Sequence, residues 1–390
     1  MNIPQGYKQT ELGIIPEDWE VVLLGSGLRF QTGYPFQSLY FNGDGMGVRL
    51  IRNRDLKSDD SITHYSGAIY NEFIVNNYDI LIGMDGDFMP CVWDKGVALL
   101  NQRVGRLVVK NDWSPRFLYY ALQEPLKQKE QGTGATTVKH LSHSDIERIL
   151  MSIPSSKEQR AIAEALSDVD GLIAALDKKI AKKRLLKQGA MQQLLTGKKR
   201  LPDFTDEWVE KKLGDSCSII MGQSPSSEYY NTQNLGLPLI QGNADLENRR
   251  QIVRFYTSQI TKECEKGDVI LSVRAPVGAV GKATHKSCLG RGVCAIKTDN
   301  DFLYHYLVYI ENDWSSFSKG STFDSINSDE LYQLSLVLPQ TKKEQQAIAT
   351  ILSDMDKEIA DLEAQRDKYR LLKSGMMQKL LTGQIRLKTE

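Results

Sequence analysis

The 390-residue chain lacks the features that mark several common classes of protein. Its five cysteines are scattered and include no Cys-x-x-Cys pair, which argues against a disulfide framework and favours a reducing compartment. Its apolar runs fall short of the ~18 residues that a membrane span requires. The first ten residues have no apolar core of the kind found in signal peptides. We therefore expect a cytoplasmic globular protein of about two to three domains.

A net charge is also missing, because 49 Lys and Arg residues balance 49 Asp and Glu residues. The charge of the whole chain therefore carries no information about partners. A nucleic-acid-binding protein of this composition would have to gather its basic residues locally, in loops or on one face.

Catalytic motifs are absent as well, with no Walker A sequence and no Asn-Pro-Pro-Tyr-type adenine methylase motif. A Pro-Asp pair at residues 202–203 with Glu-Lys-Lys at residues 210–212 resembles a nuclease pattern, but it spans a linker and a duplicated segment whose other copy has no lysines. His285, Cys288 and Cys294 have no fourth partner at zinc-ligand spacing, so ordinary packing is the favoured interpretation. We expect no catalytic residue, metal or cofactor in this chain.

The chain does contain a repeat of itself. Residues 158–170 read Glu-Gln-Arg-Ala-Ile-Ala and continue to Leu-Ser-Asp-Val-Asp, and a close copy begins 186 residues later. The same offset places a second Arg-Leu-Leu-Lys at residues 370–373 and a second Leu-Leu-Thr-Gly at residues 380–383. The chain is therefore a tandem duplication of a mixed globular segment followed by a helical segment.

Each helical segment carries apolar residues at alternating spacings of four and three, the a/d pattern by which one helix buries a narrow stripe against another. The stripes consist of Ile162, Leu166, Val169, Ile173, Leu176 and Ile180 in the first segment and of Ile348, Leu352, Met355, Ile359 and Leu362 in the second. Gly197 and Gly383 suit helix C-termini. We predict two helices of about 40 residues that pair antiparallel as a coiled-coil spacer. The alternative is two amphipathic helices packed on separate domains.

The globular segments contain short apolar or alternating runs bounded by Gly, Asn and Asp, which indicate strands. Strands are expected at residues 48–51, 79–82, 105–109 and 268–271, and helical stretches at residues 115–126 and 301–311. We predict an α+β fold, a tandem duplication of a mixed, strand-rich domain followed by a long α-helix. The predicted boundaries are residues 1–154, 155–201, 202–339 and 340–390.

Over effectively its full length the chain resembles the specificity subunit of type I restriction–modification systems. The helix signature of that family is a proline followed by Glu-Gln, Ile, Leu and Asp and ending in Leu-Leu-Thr-Gly, and it occurs twice here, after Pro154 and after Pro339. The tryptophan-to-glycine approach to each recognition domain matches at residues 19–25 and 208–214. The resemblance implies two target recognition domains, each followed by a conserved helical spacer.

The resemblance also implies a function. Such a subunit binds double-stranded DNA at a split, asymmetric site, each domain reading one short half. Its partners are two modification (methyltransferase) subunits and restriction (translocase/endonuclease) subunits, so S-adenosylmethionine, ATP and Mg are expected on those subunits and not on this chain. Two half-sites on one face of a duplex require a rigid separation near one helical turn, ~34–36 Å, which paired helices would supply. The chief rival is a coiled-coil adaptor that organises partner proteins without reading DNA, and a fused enzyme would need the missing motifs.

Side chains that can hydrogen-bond base edges or phosphates gather in three loops of each half, as in the recognition domains of that family. The candidate contact residues of the first half are Gln31, Tyr34, Arg52, Asn53, Arg54, Arg103, Thr136, Thr137 and Lys139. Those of the second half are Gln223, Ser224, Gln241, Asn243, Arg274, Arg291, Ser321, Thr322 and Phe323. Arg103 and Arg291 align in the repeat. An ordinary surface loop is as good an interpretation of any single residue, so the clusters are better candidates than their members.

One of these loops differs in charge between the halves. The second half reads Arg-Ala-Pro-Val-Gly at residues 274–278, whereas the first half reads Met-Asp-Gly-Asp-Phe at residues 84–88. The acidic pair would repel phosphate, although Asp can accept a hydrogen bond from a cytosine amino group. The role of this loop in the first half stays open.

A basic run lies in the first helical segment. Its members are Lys178, Lys179, Lys182, Lys183, Arg184 and Lys187. Such a run is usually a solvated helix face. Contact with DNA or with a partner is the alternative.

Overall fold

The computed structural model describes residues 3–132, 139–311, 313–314 and 325–387. The chain divides into two compact units. Unit 1 comprises Met1–Ala175 with Arg366–Glu390, and unit 2 comprises Leu176–Gln365. Each unit therefore combines a strand-rich region with the first part of one long helix and the last part of the other.

Unit 1 contains the first thirteen strands and three short helices, and the first long helix begins in it. The strands are β1 (Tyr7–Thr10), β2 (Gly13–Pro16), β3 (Glu20–Leu23), β4 (Leu28–Thr32), β5 (Phe41–Asn42), β6 (Val48–Ile51), β7 (Thr63–Tyr65), β8 (Ile74–Val75), β9 (Ile80–Gly83), β10 (Pro90–Val92), β11 (Ala98–Leu100), β12 (Val104–Val109) and β13 (Leu150–Ile153). The helices are α1 (Pro115–Ala121), α2 (Gln123–Gly132), α3 (His143–Glu147) and the long α4 (Ser156–Leu194).

Unit 2 contains the remaining strands and three short helices, and the second long helix begins in it. The strands are β14 (Val209–Lys212), β15 (Ser218–Met221), β16 (Tyr230–Asn231), β17 (Leu237–Ile240), β18 (Leu246–Glu247), β19 (Arg250–Gln251), β20 (Phe255–Thr257), β21 (Glu263–Cys264), β22 (Val269–Ser272), β23 (Val280–Lys282), β24 (Ser287–Leu289), β25 (Val293–Lys297) and β26 (Ser335–Leu338). The helices are α5 (Leu213–Ser216), α6 (Phe302–Tyr309), α7 (Ser328–Tyr332) and the long α8 (Lys342–Leu380).

The two units share one sheet plan, which confirms the predicted duplication of a mixed domain. The five-stranded sheet of unit 1 has the order β5-β7-β6-β11-β8, and that of unit 2 has the order β16-β20-β17-β24-β21. A four-strand arrangement, β10-β9-β12-β4, matches β23-β22-β25-β15, which β19 and β18 extend in unit 2 only. The central pairs of each five-stranded sheet, β6 with β11 and β17 with β24, are parallel. Close matching of order and direction means that equivalent loops leave equivalent strand ends.

The predicted strands and helices are found within a few residues of their expected positions, with one difference. The helical stretch expected at residues 115–126 is two helices, since α1 ends before Leu122 and α2 begins at Gln123. Pro125 lies in the first turn of α2, where its missing N–H has no carbonyl partner to lose. A proline at the same place in one continuous helix would have broken its hydrogen bonds, so the chain starts a new helix instead.

Each long helix has 39 residues and ends before a glycine in the left-handed region, as predicted. Gly197 has φ +69° and Gly383 has φ +71°. A Cβ on Gly383 would also lie 2.4 Å from Pro16 Cδ, so two independent constraints require glycine there.

The apolar stripes of the long helices have two kinds of neighbour. In unit 2, Leu176 and Ile180 of α4 pack against Ile359 and Leu362 of α8. Toward the helix N-termini the stripe faces the globular regions: Ile162 and Leu166 join the core of unit 1, and Ile348 and Leu352 join that of unit 2. Val169 and the half-buried Ile173 and Met355 complete the pattern. The reason is that the first turns of each helix follow directly from a strand of its own domain and remain docked on it.

Within the described ranges, no helix is both long and apolar enough to cross a bilayer. The same ranges contain no grouping of three or more His, Cys, Asp or Glu side chains placed as metal ligands. Of the residues considered above for zinc, Cys294 is buried among apolar side chains, Cys288 is buried with its thiol 3.5 Å from Thr261 Oγ1, and His285 is exposed.

Candidate nucleic-acid interface

Most predicted contact residues of unit 1 lie in loops that hydrogen bonds tie together, here called loop cluster 1. Its loops are residues 33–34, 52–54, 84–87, 101–103 and 139–140. The amide of Met84 donates to the carbonyl of Arg103 (3.0 Å), and Asn53 Nδ2 donates to the carbonyl of Asp85 (2.5 Å). The fold thus gathers polar side chains from distant parts of the sequence into one region.

The arginines at positions 52 and 54 have different surroundings. Arg52 Nε and Nη2 donate to the buried carboxylate of Asp55 (3.1 and 3.3 Å), and Nη2 also donates to the carbonyl of Ser61 (2.7 Å). The Arg54 side chain is 61% exposed and makes one long hydrogen bond, 3.4 Å to Ser61 Oγ. Arg52 therefore holds the loop in shape, and Arg54 presents its guanidinium to solvent.

The acidic loop of unit 1 is neutralised by neighbouring cations. Asp85 Oδ1 accepts a hydrogen bond from Arg103 (3.3 Å) and lies 2.9 Å from His140 Nδ1. Asp87 forms an ion pair with Lys57 (2.7 Å). Burial raises the pKa of Asp87, but the hydrogen bond from Lys57 and one from a backbone amide outweigh it and hold the pKa below its ordinary value. The two carboxylates thus present less negative charge to DNA than the sequence suggests.

Gln31 and Tyr34 are held by contacts within unit 1. Gln31 is nearly buried, its Nε2 donating to the carbonyl of Glu72 (2.9 Å) and its Oε1 accepting from Arg106 (2.8 Å). The Tyr34 ring packs on that of Tyr70 with centroids 4.7 Å apart. Gln31 has both ends of its amide occupied, so the interface proposed below does not include it.

A cleft of about 820 Å³ opens beside loop cluster 1. Asn53, Arg54 and Asp85 line it together with Glu130. The ammonium of Lys139 lies 3.8 Å from the Glu130 carboxylate. The cleft therefore has a mixed lining of charged, amide and apolar side chains beside the exposed guanidinium of Arg54.

The predicted contact residues of unit 2 form a matching set, here called loop cluster 2. Its loops are residues 222–224, 241–243, 273–278, 290–292 and 325–326. The amide of Arg291 donates to Ser224 Oγ (3.1 Å), and Gln241 Nε2 donates to the hydroxyl of Tyr230 (2.7 Å). These contacts fix Ser224 and Gln241 within the cluster.

Four further residues of loop cluster 2 are exposed: Gln223, Asn243, Arg274 and Arg291. The loop that carries Arg274 contains a cis peptide bond between Ala275 and Pro276. Exposed amide and guanidinium groups on a fixed loop framework are the donors and acceptors that base edges and phosphates require.

The expected equivalence of Arg103 and Arg291 is wrong by one residue. The amide of Met84 donates to the Arg103 carbonyl, and the matching bond in unit 2 runs from Val273 to the carbonyl of Gly292 (2.9 Å). Arg103 therefore corresponds to Gly292. Gaps in the sequence repeat hide this offset, because nothing but strand register defines which loop residues are equivalent.

Five predicted contact residues lie outside the described residues, namely Thr136, Thr137, Ser321, Thr322 and Phe323. They stay predictions from the sequence alone.

The glutamates of the repeated helix signature, Glu158 and Glu344, form buried hydrogen bonds that the sequence analysis did not predict. Glu158 is 2% exposed, and its carboxylate accepts from Trp19 Nε1 (3.1 Å) and from Arg386 Nε and Nη2 (2.6 and 2.8 Å). Arg386 also donates twice to Asp18 (2.8 Å each). These hydrogen bonds lower the pKa of Asp18 and raise that of Arg386. The start of α4 is thereby bound to the segment that follows α8.

Unit 2 repeats this arrangement with equivalent residues. Glu344 is 1% exposed and accepts from Trp208 Nε1 (3.2 Å) and from Arg200 Nε and Nη2 (2.8 and 2.9 Å). Arg200 follows the first Leu-Leu-Thr-Gly as Arg386 follows the second, at the same 186-residue offset. That coincidence in the repeat was the signal that could have identified both arginines.

Half of the basic run on α4 forms ion pairs with α8 inside unit 2. Lys183 pairs with Glu358 (2.7 Å), Arg184 with Glu363 (2.5 Å) and Lys187 with Asp356 (2.5 Å). Because later residues of α4 meet earlier residues of α8, these segments run antiparallel. Three lysines of the run, Lys178, Lys179 and Lys182, are exposed.

Comparison with known proteins matches both halves of the chain to one family. The family described as "Type I restriction modification DNA specificity domain" matches residues 16–183 and 205–369. The MjaX type I restriction enzyme specificity subunit of Methanocaldococcus jannaschii is 31% identical over 422 residues, covering 99% of this chain and 98% of its own. The MjaVIII specificity subunit of the same organism is 25% identical, covering 98% and 97%.

A solved structure shows the same fold. The S subunit of a type I restriction–modification system from M. genitalium superposes with a TM-score of 0.68 at 15% identity, over 98% of both chains. At that identity the match concerns the fold alone.

Proposed function

Since this chain belongs to the family of type I restriction–modification DNA specificity proteins, we propose that it reads a bipartite, asymmetric DNA site. The observation that carries the proposal is the pair of loop clusters, built on one sheet plan yet lined by different side chains. Identical clusters would read a repeated half-site. Clusters that share a framework and differ in side chains read two different half-sites.

The two long helices serve, in this proposal, as the spacer between the half-site readers. A helix of 39 residues is about 58 Å long at ~1.5 Å per residue, which exceeds one turn of B-DNA. Apolar packing of Leu176 and Ile180 on α8, flanked by three interhelical ion pairs, resists bending and rotation. A flexible linker would not hold two half-sites in a fixed register.

Methylase and restriction subunits are the proposed partners, and S-adenosylmethionine, ATP and Mg belong to them and not to this chain, which contributes recognition without catalysis. Each long helix carries a pair of exposed leucines that suits partner docking. Leu185 and Leu186 of α4 are 69% and 51% exposed, and their repeat equivalents Leu371 and Leu372 of α8 are 77% and 50% exposed. Leucines at such exposure in both copies of a repeat mark an interaction surface.

Replacing one exposed leucine in each copy tests this partner surface. The double variant Leu185→Ser with Leu371→Ser should lose capture of the co-expressed methylase subunit, because about 2 kcal/mol or more is expected from each buried leucine. Binding of the chain to DNA should be unchanged. Exposed Leu39→Ser with Leu235→Ser provides a matched control outside the helices, and equal capture by both double variants would contradict the docking surface.

Selection from a random duplex library tests the DNA-reading function directly. The full chain, alone and with methylase subunits, should enrich a motif of two short defined parts separated by a fixed undefined gap. Binding that falls with salt but selects no sequence would show backbone attraction only. Absence of binding even in the complex would favour the rival function, a coiled-coil adaptor that organises partners without reading DNA.

A further inference from the structure

Asp85 and Arg274 occupy the same position in the two units. The residue before each donates its amide to equivalent carbonyls, as described for Met84 and Val273. The carbonyl of Met84 accepts from the amide of Leu141 (2.8 Å), and the carbonyl of Val273 accepts from the amide of Ile326 (2.9 Å). Isolated antiparallel bridges pair Asp85 with His140 and Arg274 with Ser325. Backbone geometry therefore identifies the pair independently of any sequence alignment.

The neighbours of this position change together with its charge. In unit 1 the carboxylate of Asp85 contacts Arg103 and His140. Their counterparts in unit 2 are Gly292, which has no side chain, and Ser325. An acidic residue beside an arginine and a histidine in one unit is thus replaced by an arginine beside small residues in the other. Neither arrangement adds net negative charge at this position, so both are compatible with a nearby phosphate backbone.

We propose that this position determines base preference in both units, with opposite chemistry in each. A carboxylate only accepts hydrogen bonds, so Asp85 selects a base that presents an amino group in the major groove, cytosine or adenine. The guanidinium of Arg274 only donates, so it selects guanine, whose O6 and N7 both accept. Arg103 and His140 keep Asp85 oriented, and Arg103 balances its charge. The inference rests on the proposed DNA-reading function and names residues within it.

Two variants that remove the hydrogen-bonding group test the proposal by selection from the random duplex library. Asp85→Ala should relax the preference for cytosine or adenine at one position of one half-site, by about tenfold or more in relative enrichment. Arg274→Ala should relax the preference for guanine at one position of the other half-site by a similar factor. The undefined gap and all remaining positions should be unchanged.

Exposed residues of the same units provide the matched controls, Glu17→Ala for unit 1 and Arg250→Ala for unit 2. Thermal unfolding should be the same for all four variants, which separates a change in reading from a change in folding. Three results would each overturn the assignment: both variants change the preference in the same half-site, a variant weakens binding to all sequences equally, or the selected sequences are the same as for the wild type. If the wild-type chain itself enriched no split motif, the proposed function would fail, and this inference would fail with it. That result differs from one in which the wild type enriches a split motif that neither variant changes.

Discussion

Glu158 and Glu344 are carboxylates held almost wholly out of water, a position that costs several kcal/mol unless hydrogen bonds and opposite charge compensate. Each obtains the same compensation, an indole N–H from the tryptophan that opens the globular region and a two-pronged arginine from beyond the opposite helix. The glutamine that follows each glutamate donates to a proline carbonyl before the helix. The family signature at these residues therefore stabilises the architecture.

Removing the arginine tests this account of the buried carboxylate. Arg386→Ala leaves Glu158 buried with one neutral donor, so we expect the free energy of unfolding of unit 1 to fall by about 2–4 kcal/mol. Arg200→Ala should have the same effect on unit 2. Urea unfolding followed by tryptophan fluorescence measures both. Exposed Arg250→Ala is the control, and a loss no larger than that of the control would contradict the account.

His305 gives unit 2 a predictable dependence on pH. It is 1% exposed, with Nε2 3.0 Å from Ser353 Oγ, and burial lowers its pKa from 6.5 to about 4, with the nearby charge of Lys187 acting in the same direction. The unfolded chain therefore binds a proton below pH 6.5 that the folded chain binds only near pH 4. The contribution of neutral His305 to stability is present above pH 6.5 and is lost as the pH falls toward 4.

The variant His305→Gln should remove that dependence. Between pH 6.5 and 4 the melting temperature of unit 2 should fall less steeply in the variant than in wild type, because the glutamine does not titrate. His143→Gln, at an exposed site of unit 1, should keep the wild-type slope. Parallel pH profiles for His305→Gln and wild type would show that burial of this ring does not control the stability of unit 2.

The ends of the long helices illustrate how much an element owes to its surroundings. Gly197 and Gly383 have nearly the same positive φ, but a Cβ would meet different neighbours. At Gly197 the nearest atom is 3.4 Å away on Trp208, an ordinary contact, whereas at Gly383 it is 2.4 Å away on Pro16. The same motif therefore tolerates substitution differently in its two copies.

We predict that Gly197→Ala lowers the unfolding free energy by about 1 kcal/mol, the cost of a left-handed alanine. Gly383→Ala should cost clearly more, because Pro16 must also move. Chemical denaturation of both variants and wild type provides the comparison. Equal losses would mean that the chain after α8 shifts freely, against the close packing described here.

Secondary structure was the most predictable level of the fold. The strand at Val48–Ile51 and both 39-residue helices follow directly from periods of two and of 3.6 residues. The burial and hydrogen bonding of Gln31 could not be predicted, because its partner Arg106 lies on β12, which pairs with β4 only in the folded sheet. Long-range pairing decides which polar loop residues are occupied and which are free to bind, and no local pattern records it.

At the scale of the whole molecule, duplication explains most of the organisation. Each unit takes its strand-rich region from one repeat and closes it with the end of the helix from the other. The repeat therefore predicts a domain plan, although the compact units do not coincide with the linear segments that sequence boundaries suggest. In this plan a change in one helix alters the framework of both strand-rich regions.

In the proposed function the paired helices set the gap between two half-sites, and a four-residue insertion after Ala175 in α4 would change that gap. Four helical residues add ~6 Å and turn the helix by about 40°, and the same residues inserted after Gly43 in an exposed loop serve as control. Selection from the random duplex library measures the gap. The account predicts both half-sequences with a changed gap, or loss of the split motif while both units stay folded. The same half-sequences at an unchanged gap would contradict it.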